Sequence, residues 1–280
     1  MPATTTHSLD AGDEAGPRPG QQLSRIVRRI VATMLTIAAM LLPAAVRAAD
    51  TPSGIRNIVL VHGAFADGSS WSDILPLLQA KGYHVTAVQN PLTSLADDVA
   101  ATRRVLERQK GDVLLVGHSW AGAVVSEAGN ADNVKGIVYL SALVPDSNES
   151  VMDLLQKQNS PMDGLVPDAN GLVWLDDPEA FAHVMAGDVA RERVALLAAT
   201  QQPMTAKAFG DKIQKAAWQN KPTWYLVTEG DNALPTRVQQ WLASHIGAKT
   251  SLIKSSHMSM VSHPSAVADF IARAAKDVLK

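Results

Sequence analysis

The sequence predicts an α/β architecture, a doubly wound and mostly parallel sheet of about six strands that carries one helical insertion. Three observations predict it. Six short apolar runs, rich in β-branched residues, recur along the chain; helical patterns lie between them; and a stretch from about residue 145 to 215 has helical segments without a clear strand. Strands separated by helices need crossover connections, which make the sheet parallel and put binding sites at the carboxyl ends of its strands.

The first run, Asn57 to His62 (NIVLVH), is continuously apolar rather than alternating, as expected of a strand buried on both faces. A helical pattern over Trp71 to Lys81 stops at Gly82, and the run Tyr83 to Val88 supplies a second strand. Ser94 is a candidate cap for a helix over Leu95 to Gln109. Asp112 to Val116 is the third predicted strand, Trp120 to Gly129 a helix of small and apolar residues, and Val134 to Leu140 the fourth strand. Beyond the insertion come a strand over Thr223 to Thr228, a helix over Thr236 to Ile246 ending at Gly247, a strand over Thr250 to Ile253, and a last helix over Ser265 to Leu279 after Pro264. The expected organisation is one domain over 49–280, with the insertion at about 145–215 lying over the sheet as a lid.

Composition narrows the function classes. With 46% apolar and 19% charged residues the chain supports a sizeable core and is not a disordered protein. A net charge of −2, with no basic run after residue 48 and no basic-aromatic stripe, excludes a nucleic-acid surface. The absence of cysteine removes disulfides, thiolate nucleophiles and cysteine metal sites.

The N-terminus has the layout of a signal peptide. Arg25, Arg28 and Arg29 precede the apolar run Ile30 to Leu42, whose 13 residues suit an h-region and fall short of the ~20 needed to span a bilayer. Pro43, Val46 and Ala48 offer a cleavage site after Ala48. The expectation is export to the periplasm or medium, with no stable membrane insertion after residues 1–48 are removed; an uncleaved anchor is the alternative, and Arg28-Arg29 also permits a twin-arginine route. Residues 1–48 hold five Arg and three acidic side chains, so the remainder keeps 20 basic and 24 acidic residues, a net of −4.

The chemistry gathers around Ser119. Asp112 to Gly122 (DVLLVGHSWAG) runs from a strand through Ser119 into a helix. A serine on such a turn has its hydroxyl raised above the sheet, and the helix N-terminus behind it favours developing negative charge. Small residues two before and two after the serine let strand and helix approach; here they are Gly117 and Ala121, the second a methyl larger than the usual glycine, with Gly122 next to it. His62-Gly63-Ala64-Phe65 ends another strand, and the backbone N–H groups of Ala64 and Trp120 form a candidate oxyanion hole. His257, in SSHMSMVSHP after the last strand, is the candidate general base, giving the chain order Ser, acid, His. His263 competes with it, but precedes Pro264 at a helix start, where capping is the expected role; His62 and His118 are expected to be structural. The acid should follow a strand: Asp231 is the first candidate, with Glu229 and Asp146 as alternatives. No HExxH pattern or close His/Asp cluster points to a metal, and no GxGxxG or P-loop spacing to a phosphate-bearing cofactor, so no cofactor is expected. Met152, Met162, Trp174, Phe181, Met185, Met204 and Phe209 supply the insertion with apolar bulk, either as pocket lining or as its own core.

At these residues the chain resembles the α/β-hydrolase superfamily, and within it the small lid-bearing group that includes plant methylesterases and hydroxynitrile lyases, as well as a group of exported bacterial hydrolases. The stretches that carry the resemblance are VHGAFADGSSWSDILPLL, VGHSWAGAVVSEA, YLSALVPD, WYLVTEGD and SSHMSMVSHP, spread over roughly residues 55–280. The resemblance implies an α/β-hydrolase fold with Ser119, Asp231 and His257 as the triad and Ala64 and Trp120 as oxyanion donors. It implies a carboxylesterase that cleaves a small ester-like molecule through an acyl-enzyme. A carbon–carbon lyase of the hydroxynitrile type and a non-catalytic binding protein on the same scaffold are the rivals. Met258 follows His257 where such lyases carry a lysine, which disfavours the lyase.

Overall fold

The computed structural model describes residues 54–160 and 164–278; the predicted leader at 1–48 and Met162 lie outside the described residues. Strands β1 (Asn57–Val61), β2 (His84–Ala87), β3 (Val113–His118) and β4 (Val134–Leu140) alternate with helices α1 (Leu75–Ala80), α2 (Leu95–Glu107) and α3 (Ala121–Ala128). The insertion follows, with α4 (Val151–Lys157), β5 (Leu172–Val173), α5 (Pro178–Met185), α6 (Arg191–Thr200) and β6 (Met204–Thr205). The chain then returns through β7 (Thr223–Thr228), α7 (Thr236–His245), β8 (Lys249–Ile253), a short α8 (Ser259–Ser262) and α9 (Pro264–Asp277).

Six of these strands form one sheet in the order β2-β1-β3-β4-β7-β8, every pair parallel. Burial explains how legible each strand is: β1, β3 and β7 are buried throughout, whereas the edge strands β2 and β8 are largely half-buried or exposed and carry Thr, Ser and Lys. The chain leaves β1 for one edge and returns to β3 on the other side. That reversal brings the carboxyl ends of β1 and β3 side by side, with Val61 paired to Gly117, and opens a crevice between the loops that follow them.

The helices pack as their sequences dictate. In α3 every residue but Glu127 is buried, which its small side chains allow. In α9 the buried residues include Val267, Ala268, Ile271, Ala274 and Ala275, one stripe at helical spacing. Ser94 caps α2 by accepting the N–H of Asp97. The expected helix over Trp71 to Lys81 is shorter than predicted: Gly68–Trp71 form a 3-10 turn and α1 begins only at Leu75, because Pro76 has no N–H to give and is tolerated only in a first turn.

The insertion also departs from a purely helical reading. Leu172 pairs with Thr205 and Val173 with Met204 in a two-residue antiparallel ladder, too short to leave an alternating pattern in the sequence. Among the described residues no helix is long and apolar enough to cross a membrane.

Candidate active site

The turn after β3 is strained and heavily braced. Ser119 has a φ of +54°, a left-handed conformation that costs a non-glycine residue about 1–3 kcal/mol. Three backbone bonds hold it there: Ser119 N–H donates to Leu140 O at 3.2 Å, while the carbonyl of Ser119 accepts from Gly122 N–H at 2.9 Å and Leu143 N–H at 3.0 Å. A Cβ on Gly117 would lie 2.7 Å from Cγ2 of Val125, and one on Gly122 only 2.2 Å from the carbonyl oxygen of Leu143. The tight approach behind the serine thus falls on Gly117 and Gly122, and the methyl of Ala121 is accommodated within the core.

The loop after β1 meets this turn face to face. A Cβ on Gly63 would sit 2.8 Å from the Cβ of Ser119, so only glycine lets the loop pass. His62 anchors it from below: its Nε2 accepts the N–H of Asn90 at 2.9 Å, which leaves Nδ1–H to donate to the carbonyl of Gly63 at 2.9 Å. Burial lowers the pKa of His62 and keeps that neutral tautomer, in keeping with a structural histidine. Ala64 and Trp120 line the crevice, and among the described residues neither backbone N–H donates a hydrogen bond.

His257 and Asp231 are brought together. Asp231 follows β7, is 8% exposed, and its Oδ2 lies 2.7 Å from Nδ1 of His257. The same oxygen accepts from the hydroxyl of Thr228 at 2.7 Å and Nε2 of Gln239 at 2.9 Å, and Oδ1 accepts from the N–H groups of Ala233 and Leu234, both at 2.8 Å. Burial alone would push this carboxyl up, but the charge of His257 and these donors outweigh it and hold Asp231 below the usual carboxylate range. With Nδ1 turned to Asp231, the remaining ring nitrogen of His257, Nε2, is buried and has no hydrogen-bond partner among the described residues. The other acid candidates lie elsewhere: Glu229 is exposed, and Asp146 bonds Nε2 of His245 at 3.1 Å.

Two further histidines are accounted for. His118 is fully buried, its ring centroid 4.7 Å from that of His257, and it donates from Nε2 to the carbonyl of His257 at 3.0 Å. Burial pushes its pKa down to about 3, so it stays neutral and acts as a fixed support. His263 stands at the N-cap of α9, immediately before Pro264, but its ring does not cap the helix; Nδ1 turns to Oγ of Ser262 at 2.9 Å and lies 3.6 Å from Asp188.

Ser119 and His257 open into a cavity of about 310 Å³ whose wall includes Phe65, Leu143, Leu155, Met185 and Phe209; among the described lining residues Asn232 brings a side-chain amide and none is Lys or Arg. A second cavity of about 590 Å³ shares Leu155, Leu165 and Phe209 with it and adds Met152, Val173 and Ala206. Of the insertion's bulky residues, Met152, Met185 and Phe209 line these spaces, Phe181 and Met204 are buried in the core, and Trp174 is 45% exposed. Among the described residues no group of three or more His, Asp or Glu side chains is placed to hold a metal. Sequence reading missed Gln239, Asp98 and Ser141, which touch Asp231, Trp120 and the carbonyl of His257; each acts through contacts across more than seven positions, so no local pattern marks it.

The chain and its fold have counterparts among known proteins. A family model described as the alpha/beta hydrolase family matches residues 58–270. The chain is similar to salicylic acid-binding protein 2 of Nicotiana tabacum, 27% identical over 250 residues that cover 75% of this chain and 93% of the relative. It is similar to polyneuridine aldehyde esterase of Rauvolfia serpentina, 26% identical over 243 residues, 75% of this chain and 91% of the relative. The crystal structure of a pyrethroid hydrolase matches with a TM-score of 0.69 over 81% of this chain and 99% of its own, at 22% identity, which is a likeness of fold.

Proposed function

The chain belongs to the alpha/beta hydrolase family, and from that premise we propose that it is a serine carboxylesterase in which Ser119 is the nucleophile, His257 the general base and Asp231 its orienting acid. One observation carries the reading: His257 gives Nδ1 to a buried carboxylate at 2.7 Å and keeps an unpartnered Nε2 in the cavity that also holds a strained serine.

In this mechanism Nε2 of His257 takes the hydroxyl proton of Ser119 as the oxygen attacks the ester carbonyl. The imidazolium that forms is stabilised by Asp231, whose five donors keep it ionised. The oxyanion is received by the N–H groups of Ala64 and Trp120, each worth about 3–4 kcal/mol in such a site. Collapse breaks the bond to the alcohol, which leaves with the proton from His257, and water then repeats the sequence on the acyl-enzyme.

The cavity's largely apolar wall, without Lys or Arg among the described lining residues, favours an uncharged ester over a charged one. The insertion at about 145–215 serves as the lid of this cavity, with Met185 and Phe209 lining the space that Ser119 also lines. Residues 1–48 serve as an export leader, which N-terminal sequencing of the secreted protein tests. The catalytic reading is tested with a panel of p-nitrophenyl and methyl esters: turnover by the wild type and its loss in a folded Ser119→Ala support it, and equal turnover by the two overturns it.

A further inference from the structure

Helix α5 ends against the two loops that carry Asp231 and His257. The last carbonyls of any helix lack intrahelical partners and must find others. Here the carbonyl of His183 accepts from Nδ2 of Asn232 at 2.8 Å, and that of Met185 accepts from the N–H of Met258 at 3.1 Å. Just beyond, Asp188 accepts the N–H of Ser256 on Oδ2 at 3.1 Å and the hydroxyl of Ser256 on Oδ1. The three residues so held are Asn232, Ser256 and Met258, the immediate neighbours of Asp231 and, on both sides, of His257.

The core holds the opposite side of the same loop. The carbonyl of His257 accepts from Nε2 of His118 and from the hydroxyl of Ser141, both at 3.0 Å. His257 therefore hangs between two supports, one from the sheet and one from the insertion. The peptide after its Cα is bonded at both the His257 carbonyl and the Met258 N–H, and the Ser256 carbonyl before it accepts from Oγ of Ser255 at 3.0 Å, which limits the imidazole's freedom to tilt away from Asp231. Asp188 faces the hydroxyls of Ser255, Ser256 and Ser262 and the ring of His263. Burial raises its carboxyl, but the bonds from Ser256 outweigh that and leave it below the usual range, an acceptor at both oxygens at neutral pH.

We propose that residues 183–188 latch the insertion to the Asp231–His257 pair and that Asp188 is a positioning residue for His257, setting the imidazole's orientation through both bonds to Ser256. This rests on the reading of His257 as general base. Asn at position 188 keeps only a weakened latch: its Oδ1 can still accept the N–H of Ser256 and its Nδ2 can donate to the Ser256 hydroxyl, which also accepts, but both bonds lose the carboxylate charge, whereas Ala removes both. A misplacement of the base by about 1 Å costs on the order of a hundredfold in rate.

The test uses the full chain with p-nitrophenyl acetate, and follows the downfield proton resonance of the His257 Nδ1–H bonded to Asp231. In Asp188→Ala, kcat is expected to fall about tenfold to a hundredfold with KM within about twofold, and the downfield resonance to broaden or vanish while the protein stays folded; in Asp188→Asn, which keeps the bonds in neutral form, kcat is expected to fall less. Ser256→Ala, which loses the hydroxyl bond but keeps the N–H bond and all charges, is expected to give a smaller fall in kcat and the same change in resonance; it decides the matter where an Asp188 variant fails to fold. Wild-type kcat and an intact resonance in folded Asp188→Ala, or in Ser256→Ala where Asp188→Ala does not fold, overturn the latch while Ser119→Ala is inactive. An active Ser119→Ala overturns the esterase reading itself, and the latch then stands or falls on the resonance.

Discussion

The indole of Trp120 donates from Nε1 to Oδ2 of Asp98 at 2.8 Å, tying the residue after the elbow serine to a fully buried carboxylate on α2. Asp98 also accepts the N–H of Leu92 on Oδ1 at 2.8 Å. Burial pushes its pKa up to about 6 despite these donors. An acid with a raised folded-state pKa binds more protons folded than unfolded between its two values, so stability falls as pH rises from the ordinary carboxylate range to about 6 and is flat above it. The difference in unfolding free energy between wild type and Asp98→Asn should therefore shrink by roughly 2–3 kcal/mol from pH 4 to pH 6, with other groups cancelling. Urea unfolding of both proteins across that range checks it, and a constant difference contradicts it.

The geometry behind Ser119 predicts unequal effects at adjacent positions. Gly122→Ala places a methyl 2.2 Å from the carbonyl oxygen of Leu143, the residue whose N–H braces Ser119, and is expected to cost about 1–3 kcal/mol and most of the activity. Ala121→Gly removes a methyl from a helix and should cost about 0.5–1 kcal/mol while retaining turnover. Thermal melts and ester assays on the two variants separate them.

The assignment of the acid is tested by charge-neutral replacement. Asp231→Asn should lower kcat by about 10³–10⁴ with little change in KM, because the imidazole loses the partner that orients Nδ1–H. Glu229→Gln, at an exposed residue, should leave kcat within about twofold. Equal losses in both would remove Asp231 from its place.

The shared wall of the two cavities predicts how substrate length is read. Ala206 lines only the outer space of about 590 Å³. Filling it with Ala206→Trp should reduce kcat/KM for decanoate esters by about tenfold, since each methylene left unburied forfeits about 0.8 kcal/mol, and spare the acetate. A chain-length series with p-nitrophenyl esters reads this out; parallel losses at every length would place the long acyl chain elsewhere.

What the sequence by itself determined about this protein is what a window of about ten residues can encode. The continuous apolar runs of β1, β3 and β7 mark buried strands because both faces are covered, while β8, with Thr250 and Ser251 on an exposed edge, is the faintest of the six. The bend at Ser119 was legible because Gly117, Ala121 and Gly122 crowd a strand and a helix into one turn, and the family resemblance rests on the same short stretches. Only the tertiary structure decided which of three loop carboxylates touches His257, since Asp146, Glu229 and Asp231 are chemically alike and differ only in where the chain delivers them. The same holds for Asp98, Asp188 and Gln239, whose partners lie 22, 68 and 8 positions away. A side chain's type is a local property, but the company it keeps follows from the crossover connections, the strand order and the seating of the insertion's helix ends against the site.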